Sequence, residues 1–177
     1  MGKIIRKLSR GGKYDESVEA FKGLDKFGVT KDAMAMNLLM DALAKENTVE
    51  LAYEVFCEFK DCTSLNIRTF NILIDGWCKA RKLEDAGSTM DEMKKHGFLP
   101  NVISYACFIE HYCHEKDFRK VDEILKEMQE NGCKPNAVTY TIAMHALGKA
   151  KQINKALEVY AKMKSDGCLP DAKFIAH

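Results

Sequence analysis

The 177-residue sequence lacks several features that mark common protein classes. No uninterrupted apolar run approaches the roughly 20 residues that a membrane-spanning helix needs, so we expect no membrane segment. The 27 basic and 26 acidic residues leave a net charge of +1, which gives no global field to attract a nucleic acid or a membrane surface. Any binding to nucleic acid must therefore depend on the local placement of charge.

The cysteines form no recognisable disulfide or metal-binding pattern. There are seven of them, an odd number, and no two make a CxxC pair. This spacing fits neither a complete disulfide framework nor a zinc ribbon, and it favours a reducing compartment. His111 and His114 would share one face of a helix, but Cys113 would point elsewhere and no distant Cys/His pair completes a tetrahedral set. We therefore predict no metal and no cofactor.

Proline is scarce and Ser/Gly-rich stretches are absent, so no linker divides the chain. The three prolines are 35 residues apart, and a glycine precedes each of them by three residues. These pairs are Gly97 with Pro100, Gly132 with Pro135, and Gly167 with Pro170. A glycine tolerates the left-handed backbone at a helix end, and a proline prevents the helix from continuing. Helix ends are therefore predicted to recur every 35 residues.

The apolar pattern repeats with the same period. Phe70, Tyr105 and Tyr140 align, as do Met93, Met128 and Met163. Within one period, apolar residues recur at helical spacing over two segments, from about residue 68 to 80 and from about residue 83 to 96. The sequence thus predicts an all-α fold of stacked antiparallel helix-turn-helix repeats, in which neighbouring repeats bury each other's apolar faces.

We predict that a single array of such repeats occupies residues 1–177. The repeats span approximately residues 1–32 (incomplete), 33–66, 67–101, 102–136 and 137–171, and residues 172–177 begin a further repeat. The chain is therefore expected to be a fragment of a longer array. Neither a secretory segment nor an Arg/Ser-rich transit segment is visible before the first patterned helix.

Three of these repeats resemble the pentatricopeptide repeat family of plant organelles. The similarity lies in RTFNILIDGWCKARKLEDA at residues 68–86, MDEMKKHGFLPN at residues 90–101, the repeat that begins at Val102, and VTYTIAMHALGKAKQINKALEVYAKMKSDGCLPD at residues 138–171. The tetratricopeptide family has hairpins of about 34 residues, but its Trp-x-x-Leu-Gly-x-x-Tyr pattern is absent. The resemblance implies a P-type array that folds as a right-handed α-solenoid.

The resemblance also implies sequence-selective binding of single-stranded RNA, with one base read by each repeat. In this family the readers are the fifth residue of the first helix and the last residue of the repeat. They correspond here to Asn37 with Asn66, Asn71 with Asn101, Ala106 with Asn136, and Thr141 with Asp171, and Asp32 ends the incomplete first repeat. The implied site is 5′-pyrimidine-pyrimidine-A-G-3′, with cytosine slightly favoured at the first two positions and only a weak adenine preference at the third.

Donor and acceptor chemistry gives a reason for the role of the last residue. An ionised Asp only accepts hydrogen bonds and suits the imino N–H of guanine or uracil, whereas Asn also donates, to a ring acceptor of cytosine or adenine. Ala106 has no hydrogen-bonding side chain, so its repeat is expected to discriminate poorly.

Two further sets of residues are candidates for contacts with RNA. The second residue of each repeat is expected beside the bases, as Met34, Arg68, Ile103 and Val138. Near the end of each first helix a basic residue recurs, as Arg10, Lys45, Lys79, His114 and Lys149. Stacked repeats would align this second set along an RNA backbone. The alternatives are that the first set merely begins helices and that the second set offsets helix dipoles.

No side-chain set predicts catalysis, because no acidic pair with a neighbouring base is arranged for it and no deaminase motif occurs. We therefore expect a non-enzymatic RNA-binding protein with no small-molecule substrate. The resemblance implies a mitochondrial location, with the chloroplast as the alternative, and a role in RNA processing, stability, splicing or translation. Two other functions remain open at this point: a structural component of an organellar ribosome or other ribonucleoprotein, and a protein-binding helical scaffold.

Overall fold

The computed structural model describes residues 7–8, 11–28 and 32–168. Over these ranges the chain is helical and contains no strand. The helices are α1 (Tyr14–Lys22), a 3₁₀ helix (Leu24–Phe27), α2 (Ala33–Lys45), α3 (Val49–Phe59), α4 (Ile67–Lys79), α5 (Leu83–Lys95), α6 (Val102–His114), α7 (Phe118–Glu130), α8 (Ala137–Lys149) and α9 (Ile153–Ser165). The expected all-α class is confirmed, and α4 and α5 agree with the two predicted segments to within one residue.

The chain divides into two compact units, Met1–Leu99 and Pro100–His177. In the first unit, α2 forms a hairpin with α3 and α4 forms one with α5, while α4 packs against both helices of the preceding hairpin. In the second unit, α6 with α7 and α8 with α9 form hairpins, and α6 packs against α8. First helices therefore stack on first helices within each unit. None of the described helices has the length and apolar character that a membrane crossing requires.

Each first helix begins at an Asp or Asn whose side chain caps it. Asp32 accepts a hydrogen bond from the backbone of Ala35. Asn66, Asn101 and Asn136 each accept from the backbone N–H three residues later and complete a capping box with the hydroxyl at that position. A cap satisfies backbone donors that would otherwise lack partners, and each contributes about 1 kcal/mol to stability.

The two kinds of turn use different residues. After the second helices, Gly97, Gly132 and Gly167 adopt positive φ angles of 73–80°, as the sequence predicted. The turns inside the hairpins place four non-glycine residues in the same left-handed region, namely Asn47, Arg81, Lys116 and Lys151. These positions recur with the repeat period, but no glycine marks them, so the sequence analysis did not find them. A side chain in this conformation costs roughly 1–2 kcal/mol.

The periodic core that the sequence predicted is confirmed. Phe70, Tyr105 and Tyr140 are fully buried, and so are Met93, Met128 and Met163. Both tyrosine hydroxyls bond to the residue that follows the second helix of their hairpin: Asn131 Nδ2 donates to Tyr105 Oη over 3.0 Å, and Tyr140 donates to Asp166. Tyr105 and Tyr140 thus fill the core with their rings, and their hydroxyls link the two helices of each hairpin by a hydrogen bond.

Gly76 brings two helices of neighbouring hairpins close together. A Cβ atom at this position of α4 would lie 2.7 Å from Val49 Cγ2 of α3 and 3.3 Å from Ala44 Cβ of α2. Val49 itself is buried. The absence of a side chain at Gly76 therefore permits the close packing of α4 on the preceding hairpin, a role that its sequence position did not reveal.

Candidate nucleic-acid interface

Asn37 and Asn66, a predicted pair of base-reading residues, contact each other in the structure. Asn37 is the fifth residue of α2, and Asn66 is the cap of α4, which packs against α2. Asn37 Nδ2 donates a hydrogen bond to Asn66 Oδ1 over 3.1 Å. The last residue of one repeat is thus held against the fifth residue of the same repeat because it also begins the next first helix.

The hydrogen bonds at Asn66 fix the orientation of both amides. Asn66 Oδ1 accepts from the backbone N–H of Thr69, which identifies that atom as the oxygen, so Asn37 must present its nitrogen to it. Asn66 Nδ2 then points away from the cap. Asn37 is only 3% exposed, and its buried Oδ1 has no hydrogen-bond partner among the described residues. The pair thus offers one acceptor and one donor.

The caps at Asn101 and Asn136 use the same end of the amide. Asn101 Oδ1 accepts from the backbones of Ile103 and Ser104, and Asn136 Oδ1 accepts from Thr139. The cap therefore uses one of the two terminal atoms of the side chain. The other terminal group is an NH₂ donor in Asn and an oxygen acceptor in Asp, so the two residue types differ in what they offer to a further partner. The sequence analysis did not identify this double role, although the Asn-x-x-Thr/Ser spacing before each first helix was a readable signal.

The remaining fifth-position residues differ in what they offer. Ala106 is half-buried and presents no polar atom. The Thr141 hydroxyl donates to the carbonyl of Ala137 over 2.7 Å, so its lone pairs are what remains to accept a hydrogen bond. Asn71 is buried on α4. Asp171, the predicted partner of Thr141, lies outside the described residues.

The second residue of each repeat is exposed, including three large apolar side chains. Met34 is 78% exposed, Ile103 60% and Val138 57%, and Arg68 is also exposed. Among the described residues the other large exposed apolar side chains are Leu99, Ile153 and Leu157. Three of six thus fall on one repeat position. This recurrence agrees with the expectation that the second residue of each repeat lies on the surface.

The predicted basic series is partly neutralised. Lys45 forms an ion pair with Asp41 at 2.7 Å, and Lys79 forms one with Asp75 at 2.6 Å, each within a single helix. His114 Nδ1 lies 3.7 Å from a carboxylate oxygen of Glu115. Lys149 forms no ion pair within residues 32–168, and Arg10 lies outside the described residues. An aspartate lies four residues before Lys45 and another four residues before Lys79 in the sequence. The predicted basic series did not include these aspartates.

The structure shows no arrangement suited to metal binding in the part of the chain that it describes. Cys78 and Cys113 occupy equivalent buried positions. Burial raises the pKa of the Cys113 thiol to about 12, so the reactive thiolate is scarce near neutral pH. These cysteines are therefore packing residues.

The repeat pattern can be assigned by comparison with known proteins. The sequence pattern of the PPR repeat family matches residues 65–108, 100–149 and 138–173, and that of the single PPR repeat matches residues 34–63. Together these matches cover most of the chain. The chain belongs to the PPR repeat family.

Relatives in this family come from Arabidopsis thaliana. A PPR-containing protein named as mitochondrial is 57% identical over 95 residues, which cover 53% of this chain and 17% of the relative. A second protein named as mitochondrial is 45% identical over 105 residues, which cover 59% of this chain and 21% of the relative. The chain therefore matches about a fifth of the length of these PPR proteins.

Solved PPR structures share the fold. The maize PPR protein PPR10 superposes with a TM-score of 0.71 over 93% of this chain and 24% of its own, at 23% identity. PPR10 in complex with an 18-nt psaJ RNA element gives 0.76 over 89% of this chain and 23% of its own, also at 23% identity. The PPR domain of Arabidopsis protein-only RNase P 1, in complex with tRNA, gives 0.67 over 98% of this chain and 92% of its own, at 16% identity. The expected solenoid fold is thus confirmed.

Proposed function

We propose that this chain binds single-stranded RNA in a sequence-selective manner, with one base read by each repeat, and acts without catalysis in organellar RNA processing, stability, splicing or translation. The observation that carries the proposal is the pair of amides at Asn37 and Asn66. Asn37 has a buried acceptor, Oδ1, without a partner, and Asn66 has a donor, Nδ2, that points away from the cap.

The family pattern assigns a pyrimidine to the Asn37–Asn66 pair. Cytosine presents an amino donor beside a ring acceptor, and uracil presents an imino donor beside carbonyl acceptors. Either edge matches one acceptor and one donor of the pair, and so do the equivalent edges of adenine and guanine, so the choice of a pyrimidine rests on the family pattern. A buried acceptor left without a partner costs about 1–3 kcal/mol, so a base that supplies the missing donor gains affinity over one that does not.

The other repeats extend the proposed site. Asn71 with Asn101 would select a second pyrimidine. Asn136 beside the apolar Ala106 would favour adenine only weakly, and Thr141 with Asp171 would favour guanine. The proposed core sequence is therefore 5′-pyrimidine-pyrimidine-A-G-3′, with the weakest selectivity at the third base.

The surface beside the reading positions supports contact with bases. Met34, Ile103 and Val138 are exposed at equivalent positions and could sandwich base edges, while the planar guanidinium of Arg68 could stack on a base or contact a phosphate. RNA bound to PPR10, which shares this fold, is consistent with that use. The mitochondrial names of two relatives favour a mitochondrial location for the whole protein.

Selection from randomised short RNAs tests this function. The 177-residue chain would be incubated with the pool at low salt, and the retained RNAs would be sequenced. We expect enrichment of two adjacent pyrimidines followed, one base later, by guanine. Retention without base enrichment would contradict sequence selectivity. If no RNA is retained, the chain acts instead as a scaffold for proteins or as a structural part of a ribonucleoprotein.

A further inference from the structure

In each first helix a third position lies midway between the reading position and the basic position. It is four residues after the reading residue and four residues before the basic one, so all three lie along one face of the helix. The series are Asn37-Asp41-Lys45, Asn71-Asp75-Lys79, Ala106-Glu110-His114 and Thr141-His145-Lys149. The middle residue is a carboxylate in three hairpins and a histidine in the last.

In α2 and α4 the middle residue forms an ion pair with the cation that follows it. Asp41 and Asp75 hold Lys45 and Lys79 in ion pairs of 2.7 and 2.6 Å. In the last hairpin His145 replaces the carboxylate, and both His145 and Lys149 are exposed and border the same surface concavity as Thr141. With neutral histidines, the formal charges of the four series at pH 7 are 0, 0, −1 and +1.

The sequence that follows the last series strengthens this difference. Residues 145–157 contain three lysines, Lys149, Lys151 and Lys155, and no acidic residue. Each of the three is exposed. The segments that follow α2, α4 and α6 contain acidic residues close to the helix end: Glu46 in the turn after α2, Glu84 and Asp85 in the first turn of α5, and Glu115 and Asp117 in the turn after α6.

We propose that the middle residue of each series controls the strength of phosphate binding, and that the last hairpin, through Lys149 with Lys151 and Lys155, is the main phosphate-binding surface of this chain. This inference rests on the proposed binding of single-stranded RNA. Asp41 and Asp75 compete with phosphate for their lysines, whereas His145 leaves Lys149 available. RNA phosphates are therefore held most strongly beside the repeat of Thr141.

Reciprocal substitutions at the middle position test the proposal. His145→Asp recreates in α8 the ion pair that α2 and α4 possess, and it should lower affinity for a labelled RNA that contains 5′-CCAG-3′ by about two- to fivefold at low salt. Because one phosphate contact is lost, the slope of log affinity against log salt should become shallower by about 0.7. Asp75→Asn removes the competing carboxylate from Lys79 and should raise affinity and steepen the slope.

The controls distinguish an effect of charge from an effect on folding. They also distinguish failure of this inference from failure of the proposed function. An Asp–Lys pair one turn apart favours the helix, so the helical circular dichroism of His145→Asp should equal that of the original chain. Asp122→Asn changes a carboxylate on the second helix α7 and should leave affinity unchanged. If the original chain binds RNA but His145→Asp and Asp75→Asn bind equally well, this inference is wrong while RNA binding stands. If the original chain binds no RNA at low salt, both fail.

Discussion

The two terminal atoms of the Asn66 side chain, Oδ1 and Nδ2, have different roles. Its oxygen caps α4 and accepts from Asn37, while its nitrogen remains for another partner. Asn101 and Asn136 cap their helices with the same atom. Asp supplies an equivalent cap oxygen but leaves an acceptor in place of a donor. We therefore expect that an exchange between Asn and Asp changes base preference without loss of the helix start.

The cap at Asn136 gives a prediction about stability. Asn136→Ala removes the oxygen that accepts from Thr139 and should lower the free energy of unfolding by about 1 kcal/mol. Asn136→Asp retains that oxygen and places a carboxylate at the positive end of α8, so it should be at least as stable as the original chain. Urea unfolding followed by circular dichroism measures both. Equal stabilities of the Ala and original chains would show that the capping box contributes nothing.

At the scale of helices, close packing in the first unit depends on Gly76. Gly76→Ala would place a Cβ 2.7 Å from Val49, and relief of this overlap should cost about 1–3 kcal/mol. The matched control is Gly87→Ala in α5, where nothing lies within 4 Å of the added atom and the better helix propensity should stabilise the chain by roughly 1 kcal/mol.

Thermal unfolding distinguishes the two glycines. The melting temperature should fall for Gly76→Ala and rise for Gly87→Ala. A rise for both would mean that α4 has room to move away from Val49 and that the packing constraint is absent.

The helices could be predicted from the sequence because the repeat supplies several independent copies of each position. Phe70, Tyr105 and Tyr140 appeared as one core position in the alignment and are one in the structure. The hairpin turns were less predictable, since Arg81, Lys116 and Lys151 adopt left-handed backbone without the glycine that normally signals it. Gly76 could not be interpreted either, because its role depends on a neighbouring helix.

Prediction of the candidate site was more limited. The family pattern located the reading positions, but it could not show that Asn37 bonds to Asn66 or that Asn37 Oδ1 lacks a partner. The basic series looked continuous in sequence because only the cations were considered. The carboxylates of Asp41 and Asp75 pair with two of these cations and lower the net charge of the basic series. Both pairs follow from the spacing of four residues on a helix, which a list of basic residues does not show.

At the scale of the whole molecule, a net charge of +1 conceals an uneven distribution. The first-helix series are neutral in α2 and α4, negative in α6 and positive in α8. We therefore expect base recognition at every repeat with polar readers and phosphate binding mainly at the last hairpin. These two contributions are separable, since base recognition should survive added salt better than phosphate binding does.

The central claim is that one repeat reads one base through its fifth and last residues, and it can be tested by recoding a single repeat. The double variant Asn37→Thr with Asn66→Asp keeps a cap oxygen for α4 and copies the Thr141–Asp171 combination. Asp122→Asn, an exposed change on α7 outside the reading positions and outside the proposed phosphate-binding surface, is the control. Affinities would be measured for RNAs that differ only at the base facing this repeat. The account predicts a switch from pyrimidine to guanine at that base alone, and an unchanged preference, or a change at several bases, would contradict it.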